Sequence, residues 1–517
     1  MKRIFAIALC LLLILGLFAG CSNSDKAYVP TGDGLSYDED YTGPIYTRPQ
    51  GPGQEKLTLT YYPNVTMNPI SCTDFTNRAL FSLIYQSLFY VDRDYNIEPI
   101  LCKKFTVSKD MKKYTFYLEE AKFSDGTTLT AQDVLETYNA AKKSDCYGGR
   151  FAHIKKMSVS DGAFVITLST PYENLPLLLD IPIVKKSQVK SKQPLGTGPY
   201  VLDTSADAAV LRKNENWWCS AKLAVDTPAI SLVKATSATQ IRDTFEFEDL
   251  SLVYADPGSD KYADYRCDYE LWDCENNIFL FLSVNMKSKV FSNDAIRAAL
   301  PLAVDREDIA DSFYRGFARA SSLPASPLSP YYSQVLAEKY AYDKGEALKK
   351  AVEKAKLSSD TKVVLLVNSD DTLRTRVAKS VASMLKKAGL KVTVSAKKTS
   401  SYKKALKNGS YDIVLGQTKL SSNMDLSNFF ATKGALNYGG ISDVALNKLC
   451  TDALANYGNY YTLHQNVLND GRLCPILFRS YAVYAVRGLL TDLTPARDNV
   501  FYYSLGKTME KAKTQQK

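Results

Sequence analysis

The sequence predicts an α/β fold with more than one core, and three observations carry that prediction. The stretch TKVVLLVNS, residues 361 to 369, is an apolar run of strand length; Val377, Val381, Met384, Leu385 and Ala388 then recur at helical spacing, Gly389 follows as a stop, and LKVTVSA begins another strand. A strand, a helix and a strand of these lengths imply a right-handed parallel crossover. Between Lys112 and Lys143 the pattern is again strand, turn and helix. Beyond the first 55 residues about 460 remain, too many for one core and enough for two or three domains.

Taken in order, the chain opens with Met1, Lys2 and Arg3 and an almost unbroken apolar run from Ile4 to Ala19. That run is shorter than the roughly 20 residues a spanning helix needs, and with small residues at its end it reads as a signal peptide over residues 1 to 20. The segment Leu17-Phe18-Ala19-Gly20-Cys21 resembles the bacterial lipoprotein box, although Phe18 stands where an aliphatic residue is usual. The resemblance implies that Cys21 is lipidated and becomes the new N-terminus. Acyl chains contribute roughly 0.8 kcal/mol per buried methylene, so two or more anchor a protein stably. Residues 21 to 55, rich in Ser, Asp, Gly, Pro and Tyr, have no apolar period and read as a linker. No later segment approaches 18 consecutive apolar residues.

The remainder has an ordinary globular composition. Without Lys2 and Arg3 there are 62 basic against 55 acidic residues, and the lysines are scattered over helical segments, which argues against nucleic-acid binding. Besides Cys10 and Cys21 the chain holds eight cysteines, and in an exported protein these permit disulfides. Only CDYELWDC offers a local pair, so Cys267 and Cys274 are the candidate disulfide. There is no C-x-x-C, no G-x-S-x-G and no H-E-x-x-H, and only His153 and His464 could serve as an imidazole base. The expectation is no enzyme, no metal and no cofactor.

Within the body of the chain, KLTLTYYP at 56 to 63 alternates as a strand does. TNRALFSLIYQSLFYVD carries Leu80, Leu83, Ile84 and Leu88 at helical spacing. Tyr114 to Leu118 reads as a strand, Asp125-Gly126 as a turn, and Thr130 as the cap of a helix whose first turn holds Asp133 and whose buried side holds Val134, Leu135, Tyr138 and Ala141.

That stretch, with IEPILCKKFTVSKD before it, PLGTGPYVL at 194 to 202, LRKNENWW at 211 to 218, FLSVNMKSKVFSNDAIRAALPLAVDREDI at 281 to 309 and LNYGGISDVALNKL at 436 to 449, resembles the extracellular solute-binding proteins of ABC importers, in their large peptide-binding class. The resemblance implies two lobes of mixed sheets with a cleft between them, the first lobe (56 to 275) carrying an inserted subdomain, the second spanning 276 to 474, and 475 to 517 returning to the first. Crossings are expected near Asn276 to Val284 and Pro475 to Tyr481, making a hinge. It further implies a monomeric receptor that delivers a peptide or other small solute to permease and ATPase subunits. A sensor of the same fold is the alternative reading.

Peptide binders of this class hold the extended ligand backbone by strand-like hydrogen bonds and the terminal amine by a carboxylate. The corresponding segment here is YDIVLGQTKLSSNMDLSNFF, Tyr411 to Phe430. Gln417 stands where tryptophan is common, Leu420, Ser421 and Ser422 fall where the aspartate is expected, and no acidic residue occurs between Asp412 and Asp425. Because an ammonium taken from water without a partner loses several kcal/mol, either Asp425 replaces the missing aspartate or the ligand is not an ordinary peptide, with oligosaccharides, nickel chelates and opines as competitors. By position in the family, Asn64, Thr66, Tyr85 and Asn285 join Gln417, Ser421, Ser422 and Asp425 as candidate ligand contacts.

Overall fold

The computed structural model describes residues 57–501, apart from 207, 221–224, 226, 248–249, 260–264, 359, 439–442, 488–492 and 498. The expected signal peptide, Cys21 and the 21–55 linker lie outside the described residues. In the first lobe, β1 (Thr58–Tyr61) leads to a hairpin of β2 (Phe89–Val91) and β3 (Ile97–Pro99). The inserted subdomain follows: β4 (Cys102–Val107), β5 (Lys113–Leu118), β6 (Ile154–Ser160) and β7 (Ala163–Leu168) form an antiparallel sheet in the order β4-β5-β7-β6. The helix Ala131–Ala141 covers it, begun by the capping box of Thr130 and Asp133, with Val134, Tyr138 and Ala141 buried. The chain then returns through β8 (Tyr200–Asp203), β9 (Ala209–Lys213) and β10 (Ala229–Lys234), and β10 pairs in parallel with β1.

Residues 76 to 92 depart from the helix their spacing predicts. Two single turns form, Phe75–Arg78 and Phe81–Ile84, and the chain is extended by Tyr85. The cause is tertiary competition for the backbone. The carbonyl of Ile84 accepts from Gly198 N–H, that of Gln86 from Ile183, that of Ser87 from Leu101, and that of Leu88 from Ile100. A helix would need those same acceptors.

One large mixed sheet links the lobes. β11 (Leu252–Ala255), β12 (Glu270–Val284), β13 (Ala318–Ala320), β14 (Val363–Asn368), β15 (Val392–Lys397), β16 (Ile413–Lys419) and β17 (Leu473–Ala485) assemble in the order β11-β17-β12-β16-β14-β15, with β13 also on β17. β14 is parallel to both β15 and β16, as the strand, helix and strand reading requires, and the helix Thr372–Lys387 buries Val377, Val381 and Leu385. One core fills the first lobe and subdomain and another lies beneath the second-lobe sheet. A third joins Val91, Tyr95 and Leu177 of the first lobe to Phe279, Phe281, Leu420 and Phe430 of the second. Two lobes with mixed sheets are thus the observed architecture.

The candidate disulfide is corrected. Residues 270 to 275 pair one by one with β17 from Ala485 to Ser480, so the chain from Glu270 to Cys274 is strand and not a closed loop. At about 3.3 Å per residue it carries Cys274 far beyond the 4.4–6.8 Å that a disulfide allows between Cα atoms. The two side chains also belong to different cores.

Candidate functional site

The seam between the lobes is built where β12 and β17 cross it. Their ladder runs to Glu275 opposite Ser480 and resumes with Ile278 opposite Arg479, leaving Asn276 and Asn277 as a bulge. Asn277 has φ +58, a left-handed conformation that Asn tolerates better than most residues. On the first-lobe side β11 flanks β17, and on the second-lobe side β16 flanks β12.

Arg479 emerges at this crossing and is 5% exposed. Its Nη2 donates to Asp256 Oδ1, at the end of β11, and its Nη1 donates to Gln417 Oε1 on β16 at 3.2 Å. The guanidinium lies 5.4 Å from the centroid of the Tyr314 ring. Gly258 leaves room for this approach, because a Cβ there would stand 2.2 Å from Arg479 Nη2 and the guanidinium would have to shift. Burial pushes the Asp256 carboxyl above its ordinary value and the like charge of Asp371 adds to this; Arg479 and the Gly258 N–H oppose the rise without cancelling it. Arg479 Nε is buried and has no hydrogen-bond partner among the described residues.

A second cluster surrounds Glu275. Its Oε1 accepts from Ser326 Oγ and, at 3.2 Å, from the Tyr95 hydroxyl, which also lies 2.6 Å from Asn277 Oδ1. Arg497 covers the Tyr95 ring at 3.9 Å. Burial raises the Glu275 carboxyl against the opposing effects of Ser326, Arg497, Arg319 and Tyr95. Glu275 Oε2 and Asn276 Nδ2 are buried without partners among the described residues.

The loop after β16 closes on the subdomain. Asp425 Oδ2 lies 3.2 Å from His153 Nε2, and Asp425 Oδ1 accepts from Ser427 N–H and Oγ at 2.8 and 2.6 Å. Burial works against both charges, yet the contact prevails. His153 is raised above its ordinary value, and Asp425 is held below its own by His153 and Ser427. Ser421 Oγ donates to Asn423 Oδ1 at 2.6 Å, Asn423 Nδ2 donates to the Tyr172 oxygen, and Tyr460 donates its hydroxyl to the Asn423 carbonyl. Ser422 is buried beside them.

The sequence-derived candidates therefore divide. Gln417 stands at the Arg479 cluster, while Ser421, Ser422 and Asp425 belong to the contact between second lobe and subdomain. Asn285 does not reach the seam. Six residues of strand separate it from Ile278 at the crossing, and its Nδ2 donates to the carbonyls of Gly409 and Tyr411 at 3.2 and 2.9 Å. Tyr85 is interior, its hydroxyl bonded to the carbonyls of Met67 and Pro194, and its ring lines a cavity of about 70 Å³ inside the first lobe. Asn64 is exposed in the turn after β1, and Thr66 closes that turn by accepting from Asn68 N–H and donating to the Lys192 carbonyl. Arg479, Asp256, His153 and Glu275 were not among the candidates. Arg479 carried a signal, being the lone charge within the apolar run LCPILFRSYAVYA.

Two lobes joined by a pair of long antiparallel strands, with polar and charged side chains meeting at the crossing, form the two-lobed architecture of the solute-binding proteins that the sequence resembles. A model of the family described as bacterial extracellular solute-binding proteins, family 5 Middle, matches residues 96–438, and the chain belongs to that family. The glutathione-binding protein GsiB of Salmonella typhi is 23% identical over 356 residues, 64% of this chain and 67% of GsiB. Among solved structures, the ABC transporter substrate binding protein CtaP of Listeria monocytogenes superposes with a TM-score of 0.71 at 18% identity, covering 86% of this chain and 97% of CtaP. The oligopeptide-binding protein AppA of Bacillus subtilis, in complex with a nonapeptide, gives 0.62 at 19% identity, covering 87% and 98%. At these identities the solved structures establish a shared fold.

Proposed function

We propose that this protein is a lipid-anchored receptor, tethered through Cys21, that captures a peptide between two closing lobes and delivers it to the permease and ATPase subunits of an ABC importer. In this reading it works as a monomer, the lobes divide at 275/276 and, because Leu473 to Arg479 pair with the second-lobe half of β12, at 479/480 and not at the expected 474/475, and no bond of the ligand is made or broken. The observation that carries the reading is the Arg479–Asp256 pair, a buried cation and a carboxylate from opposite sides of the crossing, with Gln417 beside them. Either end of a peptide supplies a matching charge. The carboxylate end can accept from Arg479, including Nε, and the ammonium end would relieve Asp256, whose ionised form burial disfavours. Asp425 is a weaker candidate for the ammonium because His153 already engages it. The glutathione-binding protein GsiB and AppA with its nonapeptide support a ligand of this class.

Thermal unfolding of residues 22–517 against short peptides, oligosaccharides, nickel chelates and opines tests the proposal. A ligand at 100 times its dissociation constant adds about 2.7 kcal/mol to stability. Peptides are expected to raise the midpoint, and Asp256→Asn to remove the rise. A response confined to a sugar, chelate or opine would overturn the peptide assignment.

A further inference from the structure

The same segments that hold the subdomain against the first lobe bring two cysteines together from far apart in the chain. Cys72 lies in the turn before the helix Phe75–Arg78, and Cys146 lies after the helix Ala131–Ala141, 74 residues later. Cys146 Sγ donates to the Cys72 carbonyl oxygen at 3.4 Å. That carbonyl also accepts from Arg78 Nη1 at 3.1 Å, which fixes the Cys72 backbone in place. With ordinary bond lengths the sulfur-to-oxygen contact keeps the two Cα atoms within about 9 Å, so a side-chain rotation and a small approach reach disulfide distance. Charge on one thiol is also felt by the other.

We infer that Cys72 and Cys146 form a disulfide that staples the inserted subdomain to the first lobe. Exposure sets the order of the chemistry. Of the eight cysteines among the described residues, Cys146 alone is not buried. The Cys146 thiolate attacks one sulfur of a donor disulfide, either a small-molecule disulfide or that of an exported thiol oxidoreductase. The donor S–S bond breaks and one donor thiolate leaves. Cys72 then gives its proton to solvent and attacks the Cys146 sulfur, expelling the second donor thiolate. Two protein thiols are oxidised and one donor disulfide is reduced to two thiols. Burial pushes the Cys72 thiol up to about 11, which makes it the slower, resolving partner and Cys146 the point of entry.

The test uses residues 22–517 incubated with oxidised glutathione or with a phosphine reductant, alkylated, digested without reduction and mapped by mass spectrometry. Oxidation is expected to yield one peptide pair joined through Cys72 and Cys146, lighter by two hydrogens than the separate thiols. The melting midpoint is expected to rise by about 4 °C, the order set by closing a loop of this length in so large a chain. Cys146→Ser should remove both effects and melt like the reduced protein. Recovery of both residues as alkylated thiols after oxidation, a glutathione adduct stalled on Cys146, or a link from either cysteine to another would each overturn the inference. The mapping on the unaltered protein stands even where the variant folds poorly.

Discussion

Arg479 interrupts a strand of otherwise apolar and small residues, and its surroundings explain why the interruption is tolerated. The guanidinium has Asp256, Gln417 and the face of Tyr314 as partners, and removing it would leave the Asp256 carboxylate buried beside Asp371 with its cation gone. Arg479→Met is therefore expected to cost about 3–5 kcal/mol in urea unfolding, and the double variant with Asp256→Asn to regain most of it. Equal losses in the single and double variants would show that the arginine acts by packing alone. His153 and Asp425 make a different kind of pair, because the ordinary value of a histidine, about 6.5, lies close to neutrality. The raised His153 contributes stability fully below its ordinary value of about 6.5 and loses it as pH rises through the raised one. Asp425, held low, contributes above about 4 and fails only as pH falls through its lowered value. Tyr172 and Cys450, the titratable neighbours, are both pushed upward by burial and stay neutral across this range. The contact is thus strongest at mildly acidic pH, and calorimetry should show wild type losing more midpoint than His153→Gln between pH 6 and 8.5. Parallel pH slopes would refute the assignment.

The motif GTGPY shows what an element can hide. The glycines of this segment bring the backbone against residues 83 to 85, where a Cβ on Gly198 would lie 2.5 Å from the Ile84 carbonyl carbon and 2.7 Å from the Leu83 oxygen. Backbone atoms cannot swing aside, so Gly198→Ala is expected to destabilise by about 1–3 kcal/mol or more, while Gly149→Ala, which meets nothing within 4 Å, should be near neutral in the same denaturation experiment. The same contact explains why residues 76 to 92 defeated a reading by periodicity: the carbonyls of Ile84 and Gln86 bond to segments about 100 residues away, and those of Ser87 and Leu88 to Leu101 and Ile100. Where an element closes its own hydrogen bonds, the sequence was a sufficient guide, as in the capping box at Thr130 and the crossover from β14 through Thr372–Lys387 to β15. Gln417 was legible because a family pattern marked its place. Arg479–Asp256 and His153–Asp425 were not, since their partners are 223 and 272 residues apart and no local spacing records such a pairing. The Cys267–Cys274 expectation failed for the converse reason: nearness in sequence counts for little once the intervening chain is strand.

At the scale of the whole molecule the lobes are joined by β12 and β17, whose ladder is interrupted by the bulge at Asn276 and Asn277 at the crossing and again, inside the second lobe, between Leu280 and Phe281. A bulge at a crossing of two strands is a natural place for a hinge, because few backbone hydrogen bonds resist rotation there. What holds the lobes together in this structure then falls into two groups. His153–Asp425 and the Glu173 carboxylate accepting from Tyr457 N–H join the second lobe to the subdomain. Arg479, Asp256 and Gln417 join the lobes at the crossing itself. Under the function proposed above, the first group biases closure without choosing a ligand, and the second is the one that faces the enclosed peptide. Apparent affinity is the intrinsic affinity scaled by the fraction of molecules able to close, so weakening a closure contact lowers affinity for every ligand by one factor. Loss of a partly buried ion pair worth about 1 kcal/mol gives about a fivefold change. Titration calorimetry on two unrelated ligands should therefore find His153→Gln weakening both in the same proportion at pH 6, whereas Gln417→Ala or Asp256→Asn should alter their ratio. If His153→Gln changed the ratio as well, the histidine would be touching the ligand, and the division between closing contacts and recognising contacts would have to be redrawn around it.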